Sequence, residues 1–151
     1  GALVEATGAT VCIHAEDAGR LATDAAHGTG GALFGFPGVV APEPDRLLSD
    51  GDTVQAAGME FTVLHTPGHT RGGVCLLVCP EGSVPHLFSG DTLFAGSVRR
   101  TDFPGGDARA LSRSIAEKLA PLHPDTVVHP GHGPDTTIAR EMRVNPFWPR
   151  A

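Results

Sequence analysis

Three short segments of the chain each place a histidine or an aspartate in a glycine-containing turn that follows a run of β-forming residues. Such runs hold side chains on rigid elements, the glycines let the backbone approach closely, and imidazole with carboxylate suits zinc, iron or manganese. Any one segment alone could be an ordinary turn completed by a polar side chain. The repeated layout favours a metal site, and the segments are TVLHTPGHT (62–70), LFSGDTLF (87–94) and TVVHPGHGP (126–134).

The rest of the sequence argues against several classes of partner. The formal charge of -6 comes from scattered carboxylates, and no basic stripe could neutralise the phosphates of a nucleic acid. No apolar run approaches the ~18 residues of a membrane span. The sequence also contains no Ser/His/Asp or Cys/His nucleophile arrangement and no further cofactor-binding motif. Nucleic acids and membranes are therefore not expected partners.

Two features suggest a reducing compartment. The first residues contain neither a basic segment nor an apolar export signal. The three cysteines, Cys12, Cys75 and Cys79, are an odd number in a chain that needs no disulfide staple, and we expect buried free thiols. These features predict a cytoplasmic location.

The elements that must position the three turns can be read from local patterns. With 151 residues and 40% hydrophobic content, residues 1–151 are predicted to form one domain. Leu111, Ile115 and Leu119 recur at helical spacing after Asp107, a good N-cap, and so indicate an amphipathic helix. The other predicted elements are a strand at 11–14, a helix at 15–26, a loop at 27–44, a hairpin turn at Ala57-Gly58 and a final helix at 136–143.

Several longer stretches resemble the metallo-β-lactamase superfamily, most closely its glyoxalase II-like branch. That resemblance implies an α/β fold, the αβ/βα sandwich, in which mixed sheets are flanked by helices. The present chain would correspond to the C-terminal portion of this sandwich. The matching stretches are HTPGHT (65–70), SGDTLFAGSV (89–98), RTDFPGGD (100–107), HPGHGPDTTI (129–138) and EMRVNPF (141–147).

The resemblance also implies distinct roles for three residues. His69 would bind one metal ion, His132 would bind the other, and Asp91 would bridge the two as the catalytic carboxylate. Two zinc ions are expected, with iron or manganese possible. A water shared between such ions has a lowered pKa, so that hydroxide is available to attack a carbonyl near neutral pH.

Other polar residues in these stretches are expected to support the ligands without binding metal. They are His65, Thr92, Arg100 and Asp102, and His129 is assigned a similar supporting or packing role. The remaining histidines have no ligand context and are expected on the surface or in loops: His14, His27, His86 and His123.

The chain departs from the family at its start and beside the site. The family's H-x-H-x-D-H signature, which supplies further metal ligands, does not occur in these residues. We therefore expect an N-terminally truncated domain without an intact dinuclear site. Arg99 stands where relatives usually carry glycine. Arg71-Gly72-Gly73 replaces a segment that commonly contains proline and serine. Either guanidinium could favour an anionic substrate or point to solvent.

Three functions are consistent with these residues. The leading hypothesis is a metal-dependent hydrolase of a small thioester or ester, most like hydroxyacylglutathione hydrolases. The second is a persulfide dioxygenase-like enzyme with a single iron, which would share RTDF. The third is an inactive truncated domain that lacks an intact metal site.

Overall fold

The computed structural model describes residues 2–20 and 42–149. The chain divides into two compact units, Gly1–Leu48 and Ser49–Ala151. The prediction of a single domain stays a prediction.

The first unit is built around a short parallel strand pair. It contains helix α1 (Ala2–Thr7), strand β1 (Cys12–His14), helical residues 15–20 and strand β2 (Arg46–Leu48), with β1 paired to β2. The predicted strand at 11–14 and the start of the helix after it are confirmed. Residues 21–41 lie outside the described part of the chain, and so do most of the predicted loop at 27–44 and His27.

The second unit is organised by one mixed sheet of six strands. Their order across the sheet is β10-β9-β6-β5-β4-β3, with only the β6–β9 pair parallel. A separate two-stranded hairpin, β7 with β8, follows β6. The predicted mixed α/β class is confirmed. The strands are β3 (Thr53–Ala56), β4 (Met59–His65), β5 (Val74–Val78), β6 (His86–Gly90), β7 (Leu93–Phe94), β8 (Ser97–Val98), β9 (Val127–Pro130) and β10 (Thr136–Thr137).

The hairpin predicted at Ala57-Gly58 is confirmed. These two residues join β3 to β4 and have φ values of 51° and 74°. Two successive positive φ values are typical of the two-residue turns whose twist matches that of paired strands. The turn fixes the register of β4, which leads directly to the first proposed metal ligand.

Helix α2 (Ala108–Ser114) confirms the predicted amphipathic helix and its cap. The Asp107 carboxylate accepts hydrogen bonds from the backbone N–H groups of Arg109 (2.8 Å) and Ala110 (3.0 Å). The helix then widens into a π-helical turn over Ile115–Leu119. Propensity patterns do not predict this widening.

Helix α3 begins later than the sequence predicts. Thr136 and Thr137 pair with β9 as strand β10, and the helix runs over Ile138–Val144. The Thr137 hydroxyl caps it by accepting from the Arg140 N–H (3.2 Å). The threonines favour the strand and the cap because their branched, hydroxyl-bearing side chains suit those positions better than a helix interior.

In the second unit, residues of helices α2 and α3 and of the π-helical turn form the core together with β5, β6 and β9. Cys75 is completely buried and belongs to this core, and burial raises the pKa of its thiol. Cys79 is exposed just after β5 and Cys12 is half-buried, so the prediction of buried thiols is wrong for Cys79. The core residues are Cys75, Leu87, Leu93, Leu111, Ile115, Leu119, Val128, Ile138 and Trp148.

None of the helices in the described residues is both long and apolar enough to cross a membrane.

Candidate metal centre

The strand directions bring the three predicted ligands to one edge of the sheet. Strand β5 is antiparallel to both β4 and β6, and β9 is parallel to β6, so β4, β6 and β9 all point the same way. His69, Asp91 and His132 each follow the end of one of these strands. The Gly131 N–H donates to the Gly90 carbonyl (2.9 Å) and joins two of the turns.

The His69 and His132 side chains lie on either side of the Asp91 carboxylate. His69 Nε2 is 3.6 Å from Asp91 Oδ2, and His132 Nε2 is 3.8 Å from Asp91 Oδ1. Two atoms that bind one zinc ion at about 2.1 Å in tetrahedral geometry lie roughly 3.4 Å apart. Each separation is therefore close to what a shared metal ion requires, with a different carboxylate oxygen facing each histidine.

Hydrogen bonds define which ring nitrogen of each histidine carries a lone pair. His69 Nδ1 donates to the Arg100 carbonyl (2.9 Å), so Nε2 of the neutral ring is an acceptor that faces Asp91. His132 Nε2 accepts from Arg99 Nη1 (2.8 Å), because a guanidinium group can only donate. The Nε2 lone pairs of both histidines thus lie beside the Asp91 oxygens. Nitrogen and oxygen atoms of this kind are suitable ligands for a cation.

Arg99 is the cation that stands at this site in the structure. Its Nε is 3.3 Å from Asp91 Oδ2, an ion-pair distance, yet this buried atom makes no hydrogen bond. Within residues 2–20 and 42–149, no three histidine, cysteine, aspartate or glutamate side chains are arranged to hold one metal ion. Each histidine instead lies opposite one oxygen of Asp91, and the Arg99 guanidinium contacts both Asp91 and His132.

Thr92 supports the Asp91 turn from inside the protein. Its side chain is buried, and its Oγ1 lies 3.1 Å from Thr66 Oγ1. The Thr66 hydroxyl in turn contacts the buried Cys75 Sγ (3.4 Å). This chain of contacts joins the turn after β6 to the turn after β4.

His65 closes the turn that carries His69. Its Nε2 donates to the Arg71 carbonyl (2.8 Å), and its backbone N–H donates to Asp50 Oδ1 (2.8 Å). The first contact closes the 66–71 turn, and the second joins the end of β4 to Asp50. The supporting role of His65 stays a prediction.

Arg100 and Asp102 form a bidentate ion pair in the segment after β8 that contacts His69. Both nitrogen–oxygen distances are 2.6 Å, and the guanidinium stacks over Phe103 at 4.1 Å. The pair fixes the segment whose Arg100 carbonyl accepts from His69 Nδ1. Arg100 thus touches a proposed ligand through its backbone, while Asp102 acts through Arg100.

The Arg100–Asp102 ion pair leads to a testable prediction about the pKa of Asp102. The Arg100 hydrogen bonds lower the pKa of the Asp102 carboxyl from 3.8 to about 2. Because the pKa is lowered, the pair stabilises the folded chain above about pH 4, and this contribution is lost as the pH falls through about 2. A carboxyl-carbon NMR titration should show an Asp102 midpoint near 2. The midpoint should return towards 3.8 in R100Q, and an unchanged midpoint there would contradict the assignment.

His129 belongs to a second polar chain rather than to the proposed ligand set. Its Nε2 is 2.9 Å from His86 Nδ1, and its Nδ1 is 3.0 Å from Asp135 Oδ2. His86 lies in β6 and is half-buried, and His14 is buried, so the prediction that both lie on the surface or in loops is wrong. Both sit in strands, where the local pattern gave no sign of a paired or covered imidazole. His123 is exposed, as predicted.

The sequence analysis did not predict the supporting contacts of two residues, Phe94 and Glu141. Phe94 stacks on the His132 ring with a centroid distance of 4.5 Å. Glu141 is completely buried and accepts hydrogen bonds from the Gly96 N–H (2.8 Å) and from Asn145 Nδ2 (2.8 Å). Glu141 therefore anchors the β7–β8 hairpin that leads to Arg99. An acidic residue at a core-facing helix position is the signal that could have revealed it.

The chain is similar to several known proteins. The metallo-β-lactamase superfamily matches residues 1–132. A protein of Haemophilus influenzae named hydroxyacylglutathione hydrolase GloC is 44% identical over 115 residues, which cover 76% of this chain and 53% of that protein.

Solved structures show the same fold. The BLEG-1 B3 metallo-β-lactamase matches with a TM-score of 0.84 and 39% identity, over 97% of this chain and 68% of that one. The protein TTHA1623, solved in a di-iron-bound form, matches with a TM-score of 0.79 and 42% identity, with the same shares covered.

The chain spans 50 to 65% of the length of the first curated relatives that it matches. The superfamily match nevertheless covers most of the chain and includes His69, Asp91 and His132. This chain therefore belongs to the metallo-β-lactamase superfamily.

Proposed function

We propose that this chain carries part of the active site of a metal-dependent hydrolase that acts on a small thioester or ester. The observation that carries the proposal is the placement of one histidine Nε2 opposite each oxygen of Asp91, at 3.6 and 3.8 Å. A carboxylate that faces two imidazole acceptors in this way suits bound metal.

The proposal assigns metal binding to His69, Asp91 and His132. Bound metal would supply a hydroxide near neutral pH and polarise the carbonyl of the substrate. Zinc suits the nitrogen and oxygen donors, and iron is an alternative because the similar TTHA1623 was solved with two irons. The chain's own residues keep the donor atoms in place: the Arg100 carbonyl orients the His69 ring, and Phe94 packs on the His132 ring.

The surroundings of His132 support a small anionic acyl substrate. A cavity of about 400 Å³ lies beside it and is lined by apolar and cationic side chains. Arginine is well suited to hold a carboxylate there, and the apolar lining suits an acyl chain. The 44% identity to a hydroxyacylglutathione hydrolase favours a thioester. The lining residues are Phe94, Ala95, Ser97, Val98, Arg99, Arg100, His132, Gly133 and Pro134.

The test combines metal content with catalysis. The purified chain would be loaded separately with Zn²⁺ and Fe²⁺, its metal content measured by elemental analysis, and hydrolysis of S-lactoylglutathione, a phenyl ester and a β-lactam compared. We expect metal-dependent thioester or ester hydrolysis that ceases when the metal is chelated.

Other outcomes identify the competing functions. Oxygen uptake with glutathione persulfide in the iron-loaded chain, without thioester hydrolysis, would indicate the dioxygenase-like alternative. A chain that retains no metal after dialysis and hydrolyses nothing would indicate the inactive domain, and the hydrolase proposal for these residues would be wrong.

A further inference from the structure

The side chain of Arg99 makes contacts that a solvent-exposed arginine would not make. Its Nη1 donates to His132 Nε2 at 2.8 Å, and its Nε lies 3.3 Å from Asp91 Oδ2. About one third of its surface remains exposed. One guanidinium therefore contacts two of the three proposed metal ligands at once.

The contact with His132 uses the atom that metal binding needs. A neutral imidazole has one lone pair, and here the lone pair of His132 Nε2 accepts a hydrogen bond from Arg99. The same lone pair cannot bind a metal ion while this hydrogen bond is present. His69 differs, because its Nδ1 donates to the Arg100 carbonyl and its Nε2 faces Asp91. The two sides of Asp91 are thus unequal.

Charge adds to this competition. The guanidinium places a positive charge beside Asp91, where it offsets the negative charge of the carboxylate. A metal ion that approaches His132 would meet that positive charge at close range, and like charges within a few ångströms repel strongly at a half-buried site. Asp91 itself is about one third exposed, so water weakens the repulsion without abolishing it.

We propose that Arg99 competes with a metal ion for His132: its guanidinium donates to His132 Nε2 and must move before that atom can bind metal. This inference rests on the metal site of the proposed function and adds a determinant of metal affinity to it. Arg99 also lines the 400 Å³ cavity beside His132.

The test measures zinc affinity of the full chain by competition with a chromophoric chelator at a fixed neutral pH. In R99A, the lone pair of His132 is freed and the repulsion removed, so we expect zinc to bind at least about tenfold more tightly than in the wild type, since a hydrogen bond to a charged group is worth roughly that factor. The gain should disappear in the double variant R99A/H132A.

A second arginine variant controls for the change in net charge. R143A removes an exposed arginine on α3 and should leave zinc affinity unchanged, which separates the local contact from a change in net charge. Equal zinc affinity in R99A and wild type would overturn the role of Arg99 while leaving the hydrolase proposal intact. Zinc binding by none of the variants would overturn both proposals.

A second variant covers the case in which R99A does not fold, as judged by circular dichroism. R99K keeps the charge but lacks the forked geometry that contacts Asp91 and His132 together. Zinc affinity should still rise in R99K, by less than in the alanine variant. An R99K affinity equal to or below that of the wild type would also overturn the proposal.

Discussion

Replacing Asp91 with asparagine is expected to abolish metal-dependent hydrolysis and to weaken zinc binding by about a hundredfold or more. The change keeps the shape of the side chain and removes its negative charge. Asparagine also replaces one oxygen with an NH₂ group, which cannot bind metal and would face either His69 or His132. An anionic oxygen ligand lies at the centre of the site, so its loss affects both sides at once.

A matched carboxylate provides the control for this substitution. Asp125 is exposed in the turn before β9, and D125N makes the same chemical change away from the site. Zinc affinity should be unaltered in D125N and lost in D91N, with both variants folded by circular dichroism. Retention of wild-type zinc affinity in D91N would show that Asp91 is not a ligand.

Replacing Gly68 with alanine is expected to reduce the free energy of unfolding by about 3 kcal/mol. A Cβ atom at this position would lie 2.7 Å from the backbone nitrogen of Leu111 and closer still to its Cα and Cβ. Leu111 is buried in the core on helix α2, so it cannot move aside without disturbing the packing there. The backbone N–H of Asp107, the cap of the same helix, also donates to the Gly68 carbonyl (2.7 Å).

Chemical denaturation of the two glycine variants G68A and G82A would separate the clash from backbone strain. Gly82 has a φ of 71° in a turn, and a Cβ there would meet nothing within 4 Å. G82A should therefore lose only about 1 kcal/mol from strain. Because His69 follows Gly68 directly, G68A should also weaken zinc binding, whereas G82A should not. Equal losses of stability would mean that helix α2 adjusts freely at Gly68.

It could be predicted that His69 and His132 lie in turns at strand ends, because a β-forming run followed by a glycine-containing turn is a local pattern. Their selection as ligands came from the family resemblance and stays a prediction. The capped helix α2 and the Ala57-Gly58 hairpin were predictable for the same reason, since a cap and a two-residue turn involve only neighbours in the chain.

Features that depend on distant partners could not be predicted. The sequence left open whether Arg99 points to the site or to solvent, because that choice depends on His132, which is distant in the sequence and lies in the turn after β9. The burial of Glu141 depends on the backbone of Gly96 in the same way. Cys79 was expected inside because its alternation with Cys75 assumes a strand longer than Val74–Val78.

The parallel β6–β9 pair has a consequence for assembly. Asp91 and His132 become neighbours only after the whole connection through helix α2 has packed back onto the sheet, and such non-local pairings form late and slowly. If His69, Asp91 and His132 bind metal, the unfolded chain has no comparable site. A metal ion would then bind the folded chain more tightly than the unfolded chain and would stabilise it. At one hundred times its dissociation constant, a metal ion adds about 2.7 kcal/mol to stability. The midpoint of thermal unfolding would then rise with metal concentration and report occupancy of the site without any substrate.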